Sequence, residues 1–212
     1  MGRRGEPGAR LSVESDHDPT HTKEALRRRF RAARRAVDPA SALDCAERTA
    51  ARVASLPEFE RAVRVALYAD FDGELPTRPL FERARAAGKL CLLPTLRGSD
   101  GALRFAAIER WEDVRPGRYG VPEPRDAHDS RALERSDLVM VPGLAFDSDG
   151  RRVGTGAGYY DRTFPVGTPA PFLVGLAFDF QRVDRVPAAA HDRAVDALVT
   201  EAGIWRCRWR RA

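Results

Sequence analysis

Residues Val63–Leu93 read VRVALYADFDGELPTRPLFERARAAGKLCLL, and their pattern decides the fold. Val63–Ala69 (VRVALYA) is a short apolar run of the kind a buried strand needs. Leu75–Ala87 reads as a helix ended by Gly88, a residue suited to the left-handed conformation beyond a helix C-terminus. Leu90–Leu93 reads as a second strand, closed by Pro94. Strand, helix and strand within about 30 residues make a βαβ unit. Such a unit implies a parallel sheet with helices over its faces.

Outward from that unit the pattern continues. Upstream, Leu26, Phe30, Ala33 and Val37 form one apolar stripe of a helix that begins near His21 and ends at Asp38-Pro39, because the residue before Pro avoids the α region. Ser41 is placed to cap a second helix reaching about Ser55, with Leu43, Ala50, Val53 and Ala54 on its buried side. Downstream, Leu103–Ile108, Asp137–Val141 (DLVMV), Phe172–Phe178 (FLVGLAF) and Val195–Thr200 read as strands. Arg115–Arg125 (RPGRYGVPEPR) is too stiff for a flexible linker and reads as an ordered connection. The expectation is a single three-layer α/β domain over residues 21–205, its sheet mostly parallel with helices on both faces. Residues 1–20 lack periodicity and read as a disordered extension, and residues 206–212 as a basic tail.

Composition narrows the function classes. With 212 residues, 43% hydrophobic and 32% charged, the chain is of one-domain globular type. No apolar run approaches the roughly 18 residues of a membrane span, and the first 22 residues lack a signal-peptide core. Cys45, Cys91 and Cys207 form no CxxC pair and no zinc spacing, so they read as reduced thiols of a cytoplasmic protein. A net charge of +5 invites a nucleic-acid reading, but position qualifies it. Lys23–Ala36 alone carries +6 and Arg206–Ala212 carries +4, so the rest of the chain sums to −5. Of the 36 basic residues only Lys23 and Lys89 are lysines.

The chemistry concentrates in Val141–Arg162, VPGLAFDSDGRRVGTGAGYYDR, where Gly143, Gly150, Gly154, Gly156 and Gly158 place five of the chain's 17 glycines within 16 residues. The run follows a strand and precedes a helix beginning near Tyr159, the edge of an α/β sheet where ligands bind. Glycines let backbone N–H groups approach an anion, a helix N-terminus adds partial positive charge, and Arg151 and Arg152 add full charges. The physical reading is a phosphate cradle. Its spacing, Gly154-x-Gly156-x-Gly158, is not the dinucleotide fingerprint, and no lysine completes a Walker loop. The alternative is a loop turning at Asp149-Gly150, with glycines chosen for packing. Asp147-x-Asp149-Gly150 lacks the remaining ligands of a calcium loop.

The same residues carry a family resemblance. PGLAFDSDGRRVGTGAGYYDR resembles the signature of the 5-formyltetrahydrofolate cyclo-ligase, or methenyltetrahydrofolate synthetase, family. Lys23-x-x-Leu26-Arg27 resembles that family's K-x-x-L-R, Phe71–Thr77 (FDGELPT) its FDGEIDT loop, and Arg118–Pro124 (RYGVPEP) its RYGIPEP segment. Val174–Gln181, Pro187, His191-Asp192 and Val199-Thr200 resemble its C-terminal part, so the likeness runs in order from about Lys23 to Trp205.

The resemblance implies ATP-dependent cyclisation of 5-formyltetrahydrofolate to 5,10-methenyltetrahydrofolate with release of ADP and phosphate. The formyl oxygen takes the γ-phosphoryl group, and N10 then displaces phosphate as the methenyl bridge forms. It implies ATP as co-substrate and Mg²⁺; the chain is further expected to be a monomer acting on a small molecule, with no membrane partner for want of an apolar span and no nucleic-acid partner because the chain outside its two basic pieces is acidic. By resemblance ATP is held by Lys23, Glu24, Ala25, Leu26 and Arg27, by Arg152, Val153 and Gly154, and by Thr155, Gly156, Ala157, Gly158, Tyr159 and Tyr160. Lys23, Arg152 and Tyr160 would act in catalysis. Folate would be held by Glu74 and by Thr155, Gly156, Ala157, Gly158 and Tyr159, and Mg²⁺ by Asp161 and Asp192, two carboxylates that with phosphate and water oxygens suit that ion. Thr155 stands where many members have Arg, Tyr or Met, and Ala157 where they have Gly. Two other readings stay open at this stage: a relative that binds nucleotide or folate without turnover, and a nucleic-acid binder using the basic helix and the Arg-rich tail.

Overall fold

The structure, a computed structural model, describes residues 22–96, 101–117 and 120–208. The extension 1–20, residues 118 and 119 of the RYGVPEP segment and residues 209–212 of the tail lie outside the described residues.

The chain opens with α1 (Lys23–Arg35), capped by the Thr22 hydroxyl, which accepts from the Ala25 N–H. α2 (Pro39–Ala54) starts earlier than the sequence suggested: the Asp38 carboxylate, not Ser41, caps it, accepting from the N–H groups of Ala40 and Ser41 at 3.1 and 3.0 Å. Pro39 tolerates the first helical position because the N–H it lacks has no helical partner there. The Asp38-Pro39 pair that stops one helix therefore starts the next. This phase turns Leu43 outward, 49% exposed, while Ala46, Ala50 and Val53 face the core.

After α3 (Pro57–Arg61) come β1 (Arg64–Ala66), α4 (Arg78–Ala86), β2 (Leu90–Thr95) and β3 (Arg104–Ile108). Helix α4 begins three residues later than expected because its approach is held by the loop. The Tyr68 hydroxyl donates to the Leu75 carbonyl, and Thr77 Oγ1 donates to the Tyr68 carbonyl. Gly88, at φ +72°, closes α4 as anticipated. Pro94 does not end β2: it pairs opposite Phe105 inside the β2–β3 ladder. The β1–β2 register ends at Ala66 opposite Leu92, and the Leu67 N–H donates to the Leu92 carbonyl. The side of β2 that Leu92 presents is also the side of Pro94, so the missing N–H of Pro94 faces a stretch that β1 has already left.

The remaining elements are β4 (Val114–Pro116), β5 (Pro122–Pro124), β6 (Leu138–Val141), β7 (Ala145–Phe146), β8 (Arg152–Val153), α5 (Tyr159–Thr163), β9 (Phe172–Leu176), β10 (Ala197–Val199) and β11 (Ile204–Arg206). Seven strands form one sheet in the order β11-β10-β9-β6-β1-β2-β3. The five central strands are parallel, and both edge strands are antiparallel. The Pro-rich connection is the β4–β5 ladder. Neither the β7–β8 pair nor β11 was legible in the sequence, being two or three residues long. β11 reaches Arg206, so the basic tail as drawn from composition begins inside the sheet edge.

Strand alternation sorts the core into two layers. Val65, Cys91, Leu93, Leu138 and Met140 pack with Ala50, Val53, Leu80 and Phe81 of α2 and α4. Ala66, Leu92, Val139, Val141 and Leu198 pack on the opposite face against Phe146 and Phe164, with Tyr159 and Tyr160 of α5 partly buried there. Helices thus lie on both faces, more thinly on the second. Each Val, Leu, Phe or Met among them contributes about 1.5–3 kcal/mol when buried. Helix α1 packs through Leu26 and Phe30 on Leu144, Ala145 and Val153 around the β7–β8 pair. Among the described residues no helix is long and apolar enough to cross a membrane.

Candidate active site

The sheet reverses its direction of growth between β6 and β1. From β1 the chain builds outward through β2 and β3; from β6 it builds the other way through β9, β10 and β11. In parallel α/β sheets the crevice beyond the carboxyl ends of strands at such a switch point is where ligands bind. The loops leaving those two strand ends are Leu67–Thr77, which carries the FDGELPT residues, and the segment from Pro142 through the glycine run. Helix α1 lies beside them, and two adjoining cavities open here.

The first cavity, about 390 Å³, is cationic. Lys23, Arg27, Arg152 and Arg162 line it with residues 154–160, Asp161 and Asp192. Gly156 at φ +115° and Gly158 at φ +67° shape the turn, conformations that side-chain-bearing residues rarely adopt. Arg27 Nε donates to the Gly154 carbonyl at 3.1 Å, so helix α1 holds the glycine loop directly. Helix α5 is only five residues long, so the positive field comes from these side chains rather than from the helix terminus. Arg151 is not part of it: its guanidinium pairs with Asp149 at 3.1 Å and Asp147 at 3.8 Å.

The cations are matched to the two carboxylates. Lys23 Nζ donates to Asp192 Oδ2 at 2.5 Å, and the Ala189 N–H donates to the same oxygen at 2.6 Å. Burial works to raise the Asp192 carboxyl, but Lys23 and the Ala189 N–H outweigh it and hold it below the usual carboxylate range. Buried Arg152 donates through Nη2 to Asp161 Oδ1 at 2.8 Å, and the Arg193 N–H donates there at 3.0 Å. Among the described residues no cluster of three or more His, Cys, Asp and Glu is placed to hold a metal unaided. Two carboxylates in one cavity with room for phosphate oxygens do fit Mg²⁺, which keeps waters and shares its shell with substrate phosphates.

The second cavity, about 560 Å³, is aromatic and apolar: Tyr68, Phe71, Leu96, Leu103, Val121 and Tyr159 line it, with Arg31, Arg34 and Arg35 along one side. Glu74, Pro142, Thr155, Ala157, Tyr159 and Tyr160 border both cavities and form their shared wall. Glu74 Oε2 accepts from the Phe71 N–H at 3.2 Å, and its Oε1 lies 3.5 Å from Arg34 Nη1. Burial pushes the Glu74 carboxyl up to about 7, against the pull of Arg34. The Tyr160 hydroxyl is buried with no hydrogen-bond partner among the described residues. Burial and the nearby Glu74 push this phenol well above its ordinary range, so it stays a donor.

The structure therefore brings together Lys23, Arg27, Glu74, Arg152, Gly154 through Tyr160, Asp161 and Asp192. It does not bring in all of the residues that the resemblance assigns to ATP. Leu26 and Val153 are core residues of one cluster, Glu24 is exposed and pairs with Arg27 at 3.5 Å, and the Ala25 N–H is spent on the Thr22 cap. Sequence reasoning missed Arg34, Tyr68 and Arg162. For Arg34 a signal was present: it continues the Leu26, Phe30 spacing of four, which puts an arginine on the buried stripe of α1.

A switch-point crevice with a cationic and an aromatic cavity sharing one wall is the site of an α/β enzyme, and comparison with known proteins makes it one of the ligase class. The chain belongs to the 5-formyltetrahydrofolate cyclo-ligase family, whose model matches residues 19–201. It is 35% identical over 179 residues to the 5-formyltetrahydrofolate cyclo-ligase of Escherichia coli, covering 83% of this chain and 98% of that one. The solution structure of 5,10-methenyltetrahydrofolate synthetase from Aquifex aeolicus superimposes with a TM-score of 0.75 at 33% identity, covering 90% of this chain and 95% of that one. A 5,10-methenyltetrahydrofolate synthetase from Mycoplasma pneumoniae shares the fold, with a TM-score of 0.63 at 22% identity over 84% of this chain and 98% of that one.

Proposed function

We propose that this chain closes 5-formyltetrahydrofolate to 5,10-methenyltetrahydrofolate at the expense of ATP, releasing ADP and phosphate. One observation carries the reading: two cavities of opposite character share a wall, so a polyanion in one meets a ring system in the other.

The triphosphate enters the cationic cavity. Lys23 serves it as a compact charge and Arg27 as a fork, while Arg152 neutralises the group being transferred. In the ligand-free geometry Lys23 and Arg152 are held by Asp192 and Asp161, and phosphate oxygens take the carboxylates' place on the cations. Asp161 and Asp192 are then the residues to hold Mg²⁺, which would screen the phosphate charges. The pteridine occupies the aromatic cavity, where Glu74 accepts from its amino and ring N–H groups. Thr155 to Tyr159 touch both ligands, and the unpartnered Tyr160 hydroxyl donates to an oxygen at the junction.

The formyl oxygen attacks the γ-phosphorus and ADP leaves. N10 then attacks the formyl carbon and gives up its proton, and the carbon–oxygen bond breaks so that phosphate departs with the former formyl oxygen. The protein's part is to position two ligands and neutralise charge. The same reading takes the chain as a cytoplasmic monomer acting on a small molecule, since one chain builds both cavities and their wall.

The test is direct: purified chain, Mg-ATP and 5-formyltetrahydrofolate should develop the absorbance of the methenyl product with one ADP per turnover. Thermal stabilisation by either ligand without product would instead make it a binding protein. Steeply salt-dependent nucleic-acid binding without turnover would favour the basic helix as a polyanion surface.

A further inference from the structure

We propose that Arg34 is a positioning residue that holds the loop bearing Glu74 and supplies the buried cation that faces the Glu74 carboxylate. Three observations carry this. First, Arg34 is 2% exposed on the core-facing stripe of α1, where a guanidinium cannot shed its charge and must find acceptors. Second, those acceptors come from one loop. Nη2 donates to the Asp72 carbonyl at 2.9 Å, Nη1 stands 3.5 Å from Glu74 Oε1, and Nε and Nη1 make no hydrogen bond within the described residues. Third, the rest of the loop is fitted to α1. Asp72 adopts φ +53°, rare for a side-chain-bearing residue, and a Cβ on Gly73 would stand 3.1 Å from the Arg34 carbonyl oxygen.

Neighbouring charges divide the labour. Arg35 Nε donates to Asp72 Oδ1 at 2.6 Å, Arg31 Nε lies 3.5 Å from Oδ2 and Arg34 Nη2 3.9 Å from it, so the Asp72 carboxylate is served mainly by the two outer arginines. Glu74 is faced by Arg34, Asp70, Tyr68 and Tyr160, and of these only Arg34 is positive. Asp70 and burial both disfavour the charged carboxylate, and Arg34 opposes them. Helix α1 thereby touches both cavities, through Lys23 and Arg27 at its start and Arg34 near its end.

The consequence for folate rests on the proposed function, but the electrostatic role does not. In the full-length free protein, ¹³C NMR of the Glu74 carboxyl, assigned by its absence in Glu74→Gln, should titrate near 7. Arg34→Met should move that midpoint up by about one unit or more, and Arg34→Lys, which keeps a charge without the fork, should move it less. An unmoved midpoint in a folded Arg34→Met protein overturns the proposal. Should Arg34→Met not fold, Arg34→Gln, which keeps hydrogen-bonding groups without the charge, decides: a midpoint identical to wild type overturns it. In turnover, the KM for 5-formyltetrahydrofolate in Arg34→Met should rise about fivefold to tenfold at pH 7 and return towards wild type at pH 9, with the KM for ATP unchanged. A shifted midpoint with an unchanged folate KM keeps Arg34 in its role and removes Glu74 from folate binding.

Discussion

The two cavities are built in opposite ways. The cationic one comes largely from a single run, Arg152 to Arg162, closed by Lys23, Arg27 and Asp192, and its two carboxylates are already paired with Lys23 and Arg152. The aromatic one is assembled from the loop after β1, the end of β2, the β5 hairpin, the glycine run and the far end of α1, and its carboxylate, Glu74, is buried with one poorly placed cation. A site for a polyanion can be prepared with carboxylates as stand-ins for phosphate. A site for a ring system depends on shape and on the charge state of one buried group.

That contrast can be broken by substitution. Lys23→Ala should do most, raising the ATP requirement roughly ten- to hundredfold, because a charge-assisted phosphate contact contributes about 1.5–3 kcal/mol. The folate KM in the same assay should hold, and a parallel rise in both would mean that the cavities are not divided by ligand. Asp161→Asn should demand about tenfold more Mg²⁺ for half-maximal rate; a magnesium titration superimposable on wild type removes Asp161 from the metal. Glu74→Gln should raise the folate KM about tenfold and leave ATP unaffected.

The same Glu74 substitution tests the buried charge through stability. The folded carboxyl binds its proton more tightly than the unfolded one, about 7 against 4.5. Its favourable contribution is therefore complete below pH 4.5 and lost as pH rises through 7. Relative to Glu74→Gln, the wild type should lose thermal stability across that interval, and parallel melting curves would contradict the burial. The smallest effect is expected for Ala157→Gly. Removing a methyl group from the shared wall should change the KM values only a few-fold, for both ligands together, since Ala157 borders both cavities.

How much of this was legible follows from the physics of each element. The five parallel strands were legible because each is a short, mostly buried apolar run, broken only by single polar residues such as Arg64 and Asp196. The β7–β8 pair and β11 did not, because two or three residues carry no period. Asp38 as a cap was hidden by Pro39, which signals a stop and a start alike. Leu26 and Val153 sit in site motifs yet serve the core, since a motif fixes a segment and not the direction of each side chain. Arg151 and Arg152 are adjacent and equally charged, but strand alternation sends only Arg152 into the cavity. Arg34 was readable in principle: an arginine in register with Leu26 and Phe30 needs a buried acceptor, and only the fold reveals which one.

The central claim is that the shared wall brings the formyl oxygen of one ligand to the γ-phosphate of the other. Turnover of 5-formyltetrahydrofolate carrying ¹⁸O in the formyl group, read by ³¹P NMR of the released phosphate, tests it most directly. The account predicts one ¹⁸O in each phosphate formed. Unlabelled phosphate, with the label released to water, would contradict it.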